Sequence, residues 1–455
     1  STGEPLTQDQ AVFTLGGKLL LQGERLYRDV FDHKPPLMYF IYAPLYMFFG
    51  PAGFGPAIFD LLLHLIQCVL LYYLLARLLG ERSAAYSVII FVYLLLCPIW
   101  SRGIRLLQAE VIANVLLLLM ARLCVDGKVS KLSAWLLGFC SSLLFATKFL
   151  PLLFALSPIM LLESEELKSK KLWLWGSLGF ICGLSPWIIY LSSYGLWTDF
   201  VAAVFHFNRC YAGEITNPLW PAISAKAWAL WLPALLAIYG LSVGRAKSSG
   251  NAGSVGSYRA ATTWLITSLV VLFMQRKFFY YHFIVLLIPL SWLGAIGLQA
   301  LTIKLFDKGE ERKWLSKLAL LIVFLQLGLF LARYTSFHKT YYYLRLWNND
   351  FPGFAEQRQV TTNRTLLETI LLAASIKQYS QPDEELLVWG MNPLLYLLAD
   401  RKPAMKFILH NWLVLDRPPF DKWGDAKARR LKFLTKMREN PPACFVVATG
   451  DKSVL

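Results

Sequence analysis

Between residues 57 and 333 the chain is a succession of apolar runs of membrane type, and nothing else in the sequence restricts the fold as severely. Candidate spans lie at 57–79, 84–100, 108–124, 132–147, 149–162, 172–194, 225–243, 262–274, 283–301 and 314–333. In hydrocarbon a segment must satisfy its own backbone donors and acceptors, so such runs fold as helices. Composition agrees: 56% of the 455 residues are hydrophobic, 16% are charged and the mean hydropathy is +0.48, outside the range of ordinary soluble domains. The sequence therefore specifies a mainly α, polytopic transmembrane helical bundle.

A net charge of +16 would suggest nucleic acid in a soluble chain. Here cytoplasmic loop cations and membrane lipids account for it, and no nucleic acid is expected. Cys68, Cys97, Cys140 and Cys182 sit in apolar runs without paired spacing, which points to neither a disulfide framework nor a metal site. No signal peptide is visible. The opening Ser1 and the end at Leu455, just after a strand-like run, suggest truncation or processing, with an inward-starting helix expected before Ser1.

Lys and Arg counts set the orientation. The richer loops contain Arg77 and Arg82; Arg122, Lys128 and Lys131; Lys168, Lys170 and Lys171; Arg245, Lys247 and Arg259; and the cluster from Lys304 to Lys317. These face the cytoplasm, giving about ten crossings with both ends outside. Arg102, Arg105, Lys148, Arg209, Arg276 and Lys277 then break the rule by falling on the outer side with Lys34. Each alone is explained by snorkelling. Together with Glu110, Tyr280, Tyr281 and His282 they suggest a site for an anionic lipid headgroup, because Arg offers a bidentate fork to phosphate and Lys a point charge.

Residues 23–37, G-E-R-L-Y-R-D-V-F-D-H-K-P-P-L, place Asp29, Asp32, His33 and Lys34 directly ahead of apolar sequence. Charge at that density beside lipid is costly unless it has a function. Asp9 lies upstream, before a short amphipathic piece (Val12, Phe13, Leu15, Leu19, Leu20) expected to lie along the interface. The run 36–49 is short and interrupted by Pro44, which fits a juxtamembrane or re-entrant helix. Three parts result: an extracytoplasmic loop at 1–35, a membrane module at 36–334 and a tail at 335–455. In the tail, a helix within 353–380, a strand at 385–389, a helix at 393–399, a basic helix at 425–438 and a strand at 443–449 predict a small extracytoplasmic α/β domain with parallel pairing. Gly390 and Gly450 lack G-x-G-x-x-G spacing, so no nucleotide site is expected.

Asp9-Gln10, then Gly23-x-x-x-Tyr27-x-Asp29, then Phe31 to Leu37 (F-D-H-K-P-P-L) resemble the first outer loop of GT-C glycosyltransferases, in the branch of protein O-mannosyltransferases and the lipid A aminoarabinose transferase. Gln108-Ala109-Glu110 resembles that family's acidic motif on a later helix, and Tyr280-Tyr281-His282-Phe283 its aromatic motif before a late span. The resemblance implies transfer of one sugar, with inversion, from a polyprenyl-phosphate carrier to an acceptor hydroxyl or phosphate on the outer face of the inner membrane. It also implies an outer-loop carboxylate acting as base or acceptor-positioning group, which by position is Asp9. The family usually shows two adjacent acids there; Gln10 stands second here.

Such a displacement needs a carboxylate on the acceptor hydroxyl and cations on the leaving phosphate. Asp9 supplies the first; Lys34, Arg102, Arg105, Lys148, Arg276 and Lys277 the second, with Tyr281 and His282 beside them. Tyr27, Asp29, Asp32, His33 and Glu110 support the loop. Fixed positive charge can replace a divalent metal, so no cofactor is required, although the few carboxylates are compatible with a metal. Structural alternatives are an N-cap role for Asp9, loop bracing by Asp29 and Asp32, and helix–helix hydrogen bonding by Asp60 and His64. Residues 205–220 read as a flexible cover. A carrier or flippase for a lipid-linked sugar would use the same cations without Asp9, and a non-catalytic subunit of an envelope complex would use the tail.

Overall fold

A computed structural model describes residues 6–51, 53–96, 107–213, 219–247, 252–306, 364–414, 423 and 426–447. The chain divides into two compact units, one of Ser1–Phe59, Trp187–Glu214 and Phe337–Leu455, the other of Asp60–Pro186 and Ile215–Ser336.

The first unit is organised on two short helices, α1 (Gln8–Leu21) and α2 (Leu37–Phe49). Thr7 caps α1. Gln10, three residues on, accepts from the Thr7 backbone N–H at 3.1 Å and from its hydroxyl at 3.2 Å, the reciprocal arrangement of a capping box. The cap role is thus filled by Thr7, and Asp9 is not the N-cap. Gln10, in the position where the family carries a second acid, is a capping residue here. Where α1 was expected to be amphipathic, it is buried nearly all round. Residues 10–19 are all buried, polar Gln10, Thr14 and Lys18 included. A sequence signal for this burial is Gly16-Gly17: a side chain at Gly17 would come within 2.7 Å of the Ala43 backbone nitrogen, so the pair lets α1 press backbone to backbone on α2. Phe13 then packs against Tyr39 and Tyr42 at 5.5 and 5.3 Å between ring centres.

The tail belongs to this unit. Helix α11 (Arg364–Tyr379) precedes strand β1 (Glu385–Trp389), α12 (Leu394–Ala399), the two-residue strand β2 (Lys402–Pro403), α13 (Ala426–Glu439) and β3 (Cys444–Val447). The three strands pair in parallel in the order β2-β1-β3, as the alternation of strand and helix required. Strand β1 is central; Leu386, Leu387, Val388 and Trp389 are buried. Of the segment 205–220, the part up to Gly213 belongs to a π-helical turn and a short α-helix, and residues 214–218 lie outside the described residues. Phe207 there is fully buried among Phe31, Trp412 and Trp423.

The second unit holds most of the membrane-type sequence: α3 (Phe54–Leu79, from Asp60 on), α4 (Glu81–Leu96), α5 (Ala109–Cys124), α6 (Lys131–Thr147), α7 (Lys170–Ser193, to Pro186), α8 (Leu219–Lys247), α9 (Ala252–Gln275) and α10 (Leu287–Phe306). Among the described residues four helical stretches are long and apolar enough to cross a bilayer: Phe54–Leu79, Lys170–Ser193, Val255–Gln275 and Tyr281–Lys304. Helices α5 and α6 have 16 and 17 residues, short of the roughly 20 that a straight span needs, and α4 runs up to Leu96, the last described residue before 107. The run 149–162 is broken where Pro151 and Pro158 fall, into a 3-10 turn (Leu150–Ala155) and one helical turn (Leu156–Ile159). Residues 314–333 lie outside the described residues. Polar side chains inside this unit find each other: Asp60 and His64 at 3.5 Å, His64 and Gln67 at 3.3 Å, and Gln67 on the Val111 carbonyl at 2.9 Å. Turned inward, they meet the demand that lipid makes of polar groups.

Gly17→Ala is expected to lower stability by about 1–3 kcal/mol, the usual cost of overpacking. Thermal unfolding of the purified protein, wild type against variant, checks this; an unchanged midpoint would show that α1 and α2 can part without cost.

Candidate active site

The loop joining α1 to α2 is bent by a left-handed residue. Tyr27 has φ +71° although it is not glycine, a conformation that costs on the order of 1–3 kcal/mol unless the surroundings hold it. They do: its N–H donates to the Val30 carbonyl at 2.7 Å, its ring packs on Phe200, and its hydroxyl donates to the Lys34 carbonyl at 3.0 Å. Asp29 accepts from the Arg25 backbone N–H at 2.9 Å and pairs with its guanidinium at 2.7 Å. Asp29 thus braces the loop. Pro36 caps α2, so the two prolines deliver Lys34 at a fixed point ahead of that helix.

At the centre, the Lys34 ammonium lies 3.3 Å from Asp9 and 3.5 Å from Asp32, and 4.9 Å above the Phe13 ring. The Asp32 side chain is 2% exposed. It accepts from the Tyr39 hydroxyl and, at 2.7 Å, from the His33 backbone N–H. Burial opposes its charge, but Lys34, His33 and Tyr39 outweigh burial and hold it well below the usual carboxylate range. Burial likewise opposes the Lys34 charge, and Asp32 and Asp9 reverse that, raising it above the ordinary lysine value of 10.5. Lys34 is a permanent cation and Asp32 a permanent anion at neutral pH. Asp9, at 29% exposure, is the more open of the two carboxylates on this lysine. Among the described residues only its Oδ1 is hydrogen-bonded, to Lys34.

His33 packs against the stacked pair Phe207 and Tyr211, with Trp412 edge-on. Its carbonyl accepts from Asn208 at 2.7 Å. Burial lowers its affinity for a proton, only partly offset by Asp32.

In the second unit Lys148 donates to Glu110 at 2.7 Å and to Gln275 at 2.8 Å. Glu110 is 1% exposed. Segment 276–279 follows, with Arg276 and Phe278 both left-handed at φ +54° and +47° around buried Lys277. Arg276 is exposed. His282 is buried with its ring against Phe279 and Tyr281. The structure thus brings together Asp9, Lys34, Asp32 and His33 in one unit and Glu110 with Lys148 in the other, while Arg102 and Arg105 lie outside the described residues. Tyr39, Asn208 and Gln275 went unnoticed in the sequence. A tyrosine on the first turn after K-P-P, beside a buried acid, was the one available signal.

Residues 33–190, beginning inside this loop, match the family model for dolichyl-phosphate-mannose-protein mannosyltransferase. That match, over part of the chain, is to a family of glycosyltransferases, and the helical fold with its small parallel sheet is of the GT-C type, with four helical stretches long and apolar enough to cross a bilayer. More particularly, the architecture is similar to that of ArnT from Cupriavidus metallidurans bound to undecaprenyl phosphate, with a TM-score of 0.62 at 14% identity, covering 97% of this chain and 88% of that one. The apo form of the same protein gives 0.59 over the same coverage at 14% identity. No curated protein sequence matches the chain.

The titrations separate cleanly in pH. Asp32 contributes stability above the ordinary value of 3.8 and loses it only as pH falls through its depressed value; Lys34 contributes below 10.5 and loses it only as pH rises further. His33 is stabilised neutral, so its contribution is present above 6.5 and is lost as pH falls below that. Of the three, only His33 changes between about pH 5 and 7, with a limiting slope of about 1.4 kcal/mol per pH unit. His33→Gln is therefore expected to flatten the fall in melting temperature over that range. An unaltered slope would show that His33 is not the group being charged.

Proposed function

We propose that the protein transfers a single sugar from a polyprenyl-phosphate carrier to an acceptor hydroxyl or phosphate on the outer face of the inner membrane, with inversion. The observation that carries this reading is the pairing of half-open Asp9 with Lys34, which is itself anchored to buried Asp32. Asp9 is placed to take or orient the acceptor proton. Lys34 cannot serve as a base, because its proton is held too firmly; it fixes the Asp9 carboxylate and adds positive potential where the phosphate departs. Lys148, Arg276 and Lys277 are the further cations proposed for the phosphate, with Tyr281 and His282 beside them and Glu110 holding Lys148. The similar ArnT structure has undecaprenyl phosphate bound, which supports a carrier of this chemistry. Nothing in this scheme uses a metal.

Asp9→Asn keeps the shape and the Lys34 contact but removes the base. Transfer by the purified protein should fall by roughly 100-fold or more while binding of the polyprenyl-phosphate sugar is retained. Undiminished turnover would dismiss Asp9 and favour a carrier that handles the same lipid without chemistry.

A further inference from the structure

Helix α1 meets the tail, far from it in sequence, at both of its ends. At its start the Gln8 side-chain amide meets the Met391 sulfur at 3.9 Å, just past the end of β1. Near its end Lys18 pairs with Asp400 at 2.5 Å, and beyond it Glu24 pairs with Lys402 of β2 at 2.5 Å. The loop that follows is held too, by the Phe31 N–H on the Lys406 carbonyl at 2.8 Å. All four tail positions fall within 391–406. The pairs differ in kind. Glu24 and Lys402 are both partly exposed, whereas the Lys18 side chain is 4% exposed and Asp400 is its described carboxylate partner. Asp400 is itself fixed, as the left-handed residue (φ +53°) ending α12, and its neighbour Arg401 is buried and clamped to Ser380 through its side-chain hydroxyl at 2.9 Å and its carbonyl at 2.6 Å.

The Lys18 side chain is enclosed by protein and its ammonium reaches Asp400, which is 62% exposed, so the pair ties the C-terminal end of α1 to one point of the tail. Asp9 rides on the same rigid helix, nine residues or roughly 13 Å away. We propose that the tail is a positioning element for the acid: Lys18 and Asp400 are positioning residues that set where the Asp9 carboxylate stands relative to Lys34. This rests on the transferase reading of Asp9. It gives the small α/β fold a role that needs no ligand of its own.

The test uses the full chain in nanodiscs and two readouts. Asp400→Asn removes the charge while keeping a residue that tolerates the left-handed turn; Lys18→Met removes the buried partner. Each should speed amide hydrogen exchange over residues 8–21 and lower kcat, both about tenfold, with the donor KM unchanged, the signature of a misplaced group rather than a lost binding contact. The charge-swapped pair, Lys18→Asp with Asp400→Lys, should recover part of both. Faster exchange with unchanged kcat, or a fall in kcat with unchanged exchange, would overturn the proposal, as would an effect confined to KM. Failure of the transferase reading is separable, since it shows as full transfer by Asp9→Asn whatever the exchange over α1.

Discussion

An ammonium held between one buried and one half-open carboxylate is the interaction on which the rest of the first unit turns. Removing one partner of a buried pair typically costs about 3–5 kcal/mol, because the other charge is left uncompensated. Asp32 cannot reach water, so Lys34 must stay. Tyr39 and the His33 amide complete its shell. The strained backbone at Tyr27 and the two prolines make sense as the means of keeping Lys34 at that point. With Asp32 as permanent counter-ion, the remaining side of the ammonium is available to Asp9, the carboxylate left partly open.

Charge balance then constrains the chemistry. Asp9, Lys34 and Asp32 sum to one negative charge, so a phosphate dianion finds no surplus of positive charge there alone. Lys148 is likewise partly matched by Glu110. On the proposed reading, stabilising a departing phosphate calls for more positive charge than Lys34 alone supplies. In the proposed reading the opening loop chiefly presents an acid, and Lys34, bridging Asp9 and Asp32, holds that carboxylate in place. The short helices, the aromatic cluster around Phe31 and Phe207, and the tail behind them all converge on the rigidity of that loop.

Much of this was legible in the sequence because the signals were local. Acid, histidine, lysine and two prolines in five residues announce a constrained polar turn, and β1 falls on the bounds expected from an apolar run closed by Gly390. What sequence reasoning missed was either long-range or balanced between opposing signals. Lys18 and Asp400 are 382 residues apart, and no periodicity connects them. The apolar positions of α1 suggested a helix lying on a surface, but Gly16-Gly17 decided for burial by admitting α2 at backbone distance. Pro151 and Pro158 outweighed the apolar content of 149–162 in the same way. Residues 205–220 read as an outer loop because His206, Arg209 and Glu214 interrupt the apolar sequence there; the helical packing of Phe207 against Trp423 is a long-range contact that no local signal announces.

The most direct trial of the account is a cryo-EM structure of the protein with a non-transferable polyprenyl-phosphate sugar and its acceptor bound. The account predicts one Asp9 oxygen within hydrogen-bond reach, about 3 Å, of the acceptor oxygen, with Lys34 still bridging Asp9 and Asp32. An acceptor seated against some other group, with Asp9 turned away from it or Lys34 released from Asp32, would contradict it.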